Sequence, residues 1–117
     1  MKSFVISVAV AAGMMVAGSA MSADMPPVAK KLGCTSCHSI DKKVVGPAWM
    51  DVSNKYKGAT KYTYKDKEYS IEEGLMQKVS HGGAGNWGTI PMIANDPKEK
   101  KQAEIKEVVA FILGLAK

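Results

Sequence analysis

The sequence is poor in the residues that usually staple or ligate a small protein. In 117 residues there are two cysteines and two histidines, and arginine is absent, each of the 16 basic residues being lysine. Two cysteines rule out a disulfide framework, and a tetrahedral zinc site would need two more ligands at ribbon or finger spacing. The only histidine besides His38 is His81, 43 positions away, so that spacing is missing. Long apolar runs are missing too. The stretch from Phe4 to Ala17, interrupted by Ser7 and Gly13, is shorter than the roughly 20 residues needed to span a bilayer. There is no internal repeat, no low-complexity linker and no nucleic-acid-binding module, so a single domain without a nucleic-acid partner is expected.

What is present is concentrated in one run. Cys34-Thr35-Ser36-Cys37-His38 places two thiols three positions apart with an imidazole directly after the second, the pattern of covalent c-type haem attachment. The spacing suits the chemistry, because two thioethers hold neighbouring edges of one porphyrin while the adjacent imidazole reaches the iron. An imidazole ligand is held best when its other nitrogen donates a hydrogen bond that fixes tautomer and orientation. The carbonyl of Pro47, in a turn-rich loop after His38, is a candidate acceptor. A dithiol redox site would follow a buried strand, and none precedes Cys34.

The start of the chain reads as an export signal. Met1-Lys2-Ser3 is a short basic lead, Phe4 to Ala17 is the apolar core, and small residues allow cleavage after Ala20 or Ala23. Residues 1–23 are therefore expected to be a secretory signal peptide and 24–117 the haem domain, with no stable membrane insertion once the signal is removed. Covalent haem attachment in bacteria takes place across the inner membrane, so both features point to the periplasm. The formal charge of +5 falls by one without Lys2, a modest excess that favours acidic protein partners.

Hydrophobic periodicity places helices along the rest. A short helix starts at Pro26-Pro27 and stops at Gly33, and a second is predicted near 48–56 through Trp49, Met50, Val52 and Tyr56. The lysine- and tyrosine-rich stretch 57–70 reads as a surface strand or loop, after which Ile71, Leu75, Met76 and Val79 restore a helical stripe. Four glycines between Gly82 and Gly88 demand a loop. A last helix is predicted from Pro97, capped by Asn95 or Asp96 with Glu99 completing a capping box, and its apolar face is Ile105, Val108, Val109, Ile112 and Leu113.

The iron's sixth position decides between electron transfer and chemistry on a bound molecule. Met25, Met50, Met76, Met92 and His81 are the candidates in the exported chain. Met50 and Met76 fall on amphipathic helices where core filling is the ordinary role. Met92 alone follows a glycine-rich loop and a proline, which favours it; His81 and an open position stay as alternatives.

Cys34-Thr35-Ser36-Cys37-His38, Val45-Gly46-Pro47-Ala48, Trp87-Gly88 and Ile90-Pro91-Met92, in that order, resemble the small bacterial monohaem class I cytochromes c of the c-551/c-552 group. The resemblance implies an all-α fold of four to five short helices wrapped around one covalently attached haem c, with the first and last helices crossing. It implies Cys34 and Cys37 as thioether positions and His38 and Met92 as axial ligands. It also implies that the Pro47 carbonyl accepts the His38 proton, that Trp87 turns its indole proton to a haem propionate, and that Asn95 bonds near the Met92 sulfur. Phe111 takes the aromatic position of the last helix. The function implied is a monomeric periplasmic carrier, not an enzyme, that shuttles single electrons between respiratory partners, with Lys42, Lys43 and Lys78 steering it onto acidic surfaces. A small peroxidase-like enzyme or gas sensor with a labile sixth ligand is the alternative. The chain departs from the group in having Ile93-Ala94 where two prolines commonly follow the methionine, and in a longer, more basic 57–74 stretch.

Overall fold

The computed structural model describes residues 24–116; the expected signal peptide and its cleavage sites lie outside them. Pro26, extended at φ −67° and ψ 153°, feeds Pro27 into the first turn of α1 (Pro27–Lys31), where a missing amide proton costs nothing. Lys30 and Lys31 in its last turn oppose the negative end of the helix dipole. The chain then turns at Gly33 into a short 3₁₀ segment, Cys34–Ser36, and the amides of Cys37 and His38 both return to the Cys34 carbonyl at 3.2 and 3.0 Å.

The loop after His38 folds back on the same turn. Val45 and Gly46 donate their amides to the Cys37 carbonyl at 3.2 and 2.8 Å. The same loop caps α2 (Trp49–Tyr56), since the Trp49 and Met50 amides find the carbonyls of Ser39 and Ile40 at 3.0 and 2.8 Å. Main-chain groups thus satisfy donors that a side chain usually takes at a helix start.

Strands β1 (Tyr62–Tyr64) and β2 (Lys67–Tyr69) form an antiparallel hairpin, with Tyr62 opposite Tyr69 and Tyr64 opposite Lys67. This hairpin is the one addition to the expected all-helical fold among the described residues. Helix α3 (Ile71–His81) begins at Ser70, whose hydroxyl accepts the Glu73 amide at 3.2 Å, a side-chain N-cap. Helix α4 (Gln102–Leu113) packs on α1, α2 and α3. Ile105, Val108, Val109 and Ile112 form its buried face, each fully buried aliphatic side chain contributing about 1.5–3 kcal/mol against exposure. Ser53 ties α2 to the end of α4, donating to the Leu113 carbonyl at 3.2 Å and accepting the Ala116 amide at 2.9 Å.

The start of α4 corrects the predicted capping box at Asp96. The Asp96 carboxylate reaches past Pro97 to accept the amides of Lys100 and Lys101, both at 2.7 Å, and the Gln102 side-chain amide at 2.8 Å. Glu99 takes a left-handed φ of +56°, which interrupts any helix begun at Pro97, so α4 starts at Gln102. Glu99 meets His81 instead, Nε2 to Oε2 at 3.0 Å, tying the end of α3 to the bend before α4.

Candidate functional site

Three parts of the chain enclose one largely apolar cavity of about 340 Å³. The 3₁₀ turn and its return loop bring Cys34, Cys37, His38 and Pro47 to it. The loop after α3 brings Trp87, Met92 and Asn95. Val52, Tyr62, Leu75, Val79 and Ile112 complete the apolar lining.

The two thiols are free and face the same space. Burial pushes the Cys34 thiol above its ordinary value, and the neighbouring Cys37 adds to the shift over the opposing effect of a backbone hydrogen bond. His38 Nδ1 lies 2.8 Å from the Pro47 carbonyl, a contact that puts the proton on Nδ1 and leaves the Nε2 lone pair free to bind. Gly46 makes this placement possible, because a Cβ there would stand 2.4 Å from His38 Cε1. Trp49, nearly fully buried, backs the imidazole at a centroid distance of 5.8 Å and meets Phe111 edge-on at 6.0 Å.

The Met92 segment is held through its main chain. Gly83 and Met92 exchange both amide bonds, at 2.9 and 3.1 Å. Gly82, at φ +71°, packs so closely that a Cβ would stand 2.3 Å from the Met92 carbonyl oxygen. The Asn95 and Asp96 amides bind the carbonyls of Val79 and Ser80, each at 3.0 Å. The Asn95 side-chain nitrogen faces the carbonyls of Val79 and Ile93 at 3.3 and 3.4 Å, which ties the loop to α3 three residues beyond Met92. Trp87 is 37% exposed, with the Lys55 ammonium 4.5 Å above its ring.

One residue at the cavity escaped the sequence reading. Lys78, taken there as a surface docking lysine, is 8% exposed and places Nζ 2.5 Å from the Gly83 carbonyl. Its spacing from Leu75 and its position beside Val79 put it on the buried face of α3, a signal available in the sequence. Tyr62 is 1% exposed, and Tyr-Thr-Tyr alternation in β1 buries Tyr62 and Tyr64 while exposing Thr63. Lys42 and Lys43 are exposed, as expected.

Paired thiols, an oriented imidazole and a thioether around an apolar cavity fit a haem bound by two thioethers. The family model described as cytochrome c matches residues 17–116. The chain belongs to the cytochrome c family. It is 43% identical over 102 residues to cytochrome c-551 of Allochromatium vinosum, covering 87% of this chain and 95% of that protein. It is 38% identical over 88 residues to cytochrome c-552 of Hydrogenobacter thermophilus, covering 75% and 78%. Among solved structures it resembles Nitrosomonas europaea cytochrome c552, with a TM-score of 0.61 and 34% identity over 75% of this chain and 95% of that one. As a member of this family the chain carries one covalently attached haem c and serves as an electron carrier. No helix among the described residues is long and apolar enough to cross a membrane.

Proposed function

We propose that this cytochrome c is a periplasmic, monomeric one-electron carrier of a respiratory chain, with His38 and Met92 as the axial ligands of its haem iron. The observation that carries the reading is the meeting of Cys34, Cys37, His38 and Met92 at one cavity, with the His38 Nδ1 proton engaged by Pro47. Haem bound there supplies an iron that accepts and returns one electron. Cys34 and Cys37 hold the ring by thioether bonds. Pro47 fixes the His38 tautomer and keeps Nε2 directed for ligation. Met92 presents a soft thioether, which favours the reduced state and raises the potential.

A haem iron held by both His38 and Met92 would keep no open position for a substrate, which supports a carrier over an enzyme. Trp87 and Asn95 serve the same site, Trp87 through its indole proton at a propionate and Asn95 by fixing the loop behind Met92. Lys42 and Lys43 give a basic surface for acidic redox partners, and their attraction weakens as salt rises. The export signal read over residues 1–23 supports the periplasmic assignment. Exposure of the reduced protein to carbon monoxide tests the closed site: its visible spectrum stays unchanged in a carrier, whereas rapid formation of a carbon monoxide adduct makes the protein a sensor or enzyme with an open position.

A further inference from the structure

The last turn of α3 leaves main-chain carbonyls without partners inside the helix, and the segment after Met92 takes up those of Val79 and Ser80 through the Asn95 and Asp96 amides. The carbonyl of Gly82, one residue past the helix, goes to the hairpin instead. Tyr64 of β1 donates its hydroxyl proton to that carbonyl at 2.7 Å, in a buried bond. Burial alone does not call for a hydroxyl at this place. Tyr64 is part of the hydrophobic core, where phenylalanine would bury the same ring, and a phenol is tolerated there only with its hydrogen bond made.

What the bond does follows from the peptide that receives it. The Gly82 carbonyl and the Gly83 amide belong to one planar unit, and the Gly83 amide donates to the Met92 carbonyl at 2.9 Å. Tyr64, this peptide and Met92 therefore stand in series, the hydroxyl fixing one end of a rigid plane whose other end holds Met92. A carbonyl that accepts a hydrogen bond also makes the amide of its own unit a stronger donor. Glycines at φ +71° and +103° flank the plane, so no side chain restrains it and its hydrogen bonds must. The hairpin has a second tie to the same loop, the Asn86 side chain donating to the Thr63 carbonyl at 3.0 Å.

Resting on the reading of Met92 as an axial ligand, we propose that Tyr64 is a positioning residue for that ligand. Through the Gly82–Gly83 peptide its hydroxyl holds the Met92 segment at the cavity and limits how readily another ligand displaces the thioether. The hairpin, which lies in the stretch where the chain departs from the c-551/c-552 group, is thereby a brace for the sixth ligand. Displacement swings the Met92 segment away and breaks this series of bonds. Without the hydroxyl there is less to break.

The test titrates imidazole against the oxidised, haem-loaded wild type, Tyr64→Phe and Ser53→Ala, following loss of the methionine-to-iron charge-transfer band. Tyr64→Phe binds imidazole about two- to tenfold more tightly, the weight of one hydrogen bond. Ser53→Ala loses bonds that join α2 to the end of α4, so its global stability falls while its imidazole affinity stays that of wild type. Exchange of the Gly83 amide proton with solvent quickens in Tyr64→Phe, and that of Ile105 in α4 does not. In the reduced wild type, proton NMR places the Tyr64 hydroxyl proton beside the Gly82 α-protons. Unchanged imidazole affinity in Tyr64→Phe, an equal change in Ser53→Ala, or a Tyr64 hydroxyl proton distant from Gly82 overturns the assignment. A wild-type spectrum without the charge-transfer band overturns the Met92 reading beneath it, which tells the two failures apart.

Discussion

The His38 and Met92 sides of the cavity are built by different means. His38 is fixed by side-chain chemistry: a hydrogen bond to the Pro47 carbonyl, and an imidazole set on Trp49 that continues through Phe111 into the core. Met92 is fixed by its backbone. Its peptide groups bond Gly83, and its neighbours Ile90 and Ile93 are 60% and 69% exposed, so little apolar packing holds the segment from outside. The imidazole side inherits its order from the hydrophobic core, whereas the thioether side depends on close main-chain contact at two glycines and on the end of α3. Each side has one glycine that an added methyl group would disturb: at Gly46 the clash is with the His38 side chain, at Gly82 with the Met92 main chain.

Gly82→Ala attacks the Met92 side most strongly. Its φ of +71° and ψ of −154° are accessible almost only to glycine, and its Cβ would meet the Met92 carbonyl, so a loss of about 1–3 kcal/mol is expected. A guanidinium midpoint measures it, and a variant as stable as wild type would mean that the backbone of the loop is free to move. Gly46→Ala strikes the other side. The new Cβ displaces the imidazole from Pro47, and the lost hydrogen bond destabilises by about 1 kcal/mol. Proton NMR of the reduced protein reads the change, the His38 Nδ1 proton signal moving while the amides of Gly83 and Met92 keep their protection. Loss of protection at Met92 as well would show that the two sides are one unit.

Acid separates the sides further, because Asp96 anchors the segment following Met92. Burial pushes its carboxyl up, but the hydrogen bonds from Gln102, Lys101 and Lys100 outweigh this and hold the pKa below the usual carboxylate value. The folded pKa is thus lower than the unfolded one. The stability it contributes is complete above the ordinary value near 4 and fades as the pH falls through it toward the lower folded value. Asp96→Asn begins less stable at neutral pH and loses part of this acid sensitivity in thermal unfolding; parallel profiles for the two proteins would remove Asp96 from the account. The smallest effect belongs to Lys55→Ala. It removes the cation over Trp87, worth about 0.5–1 kcal/mol, and changes Trp87 fluorescence while leaving His38 untouched.

The same contrast governs what the sequence disclosed. The attachment run, the Pro47 acceptor and the apolar face of α4 were legible because each is a local pattern with one physical meaning. The hairpin was legible only as a strand or loop over 57–70, because its strands are three residues each and its turn places Lys65 and Asp66 at φ 49° and 65° without the glycine that usually marks such a turn. The capping box misled because Asp96 prefers amides four and five residues ahead, a choice set by the bend at Glu99. Lys78 was misplaced although its spacing from Leu75 put it on the buried face of α3, because its partner, the Gly83 carbonyl, is a main-chain atom that no side-chain pattern advertises.

The central claim is that both axial positions are held by protein, by His38 and by Met92, and the near-infrared spectrum of the oxidised protein tests it most directly. The account predicts a low-spin spectrum with the methionine-to-iron charge-transfer band in wild type, loss of that band in Met92→Ala and its retention in Met76→Ala. A high-spin wild-type spectrum, or a band that survives Met92→Ala and disappears with Met76→Ala, would contradict it.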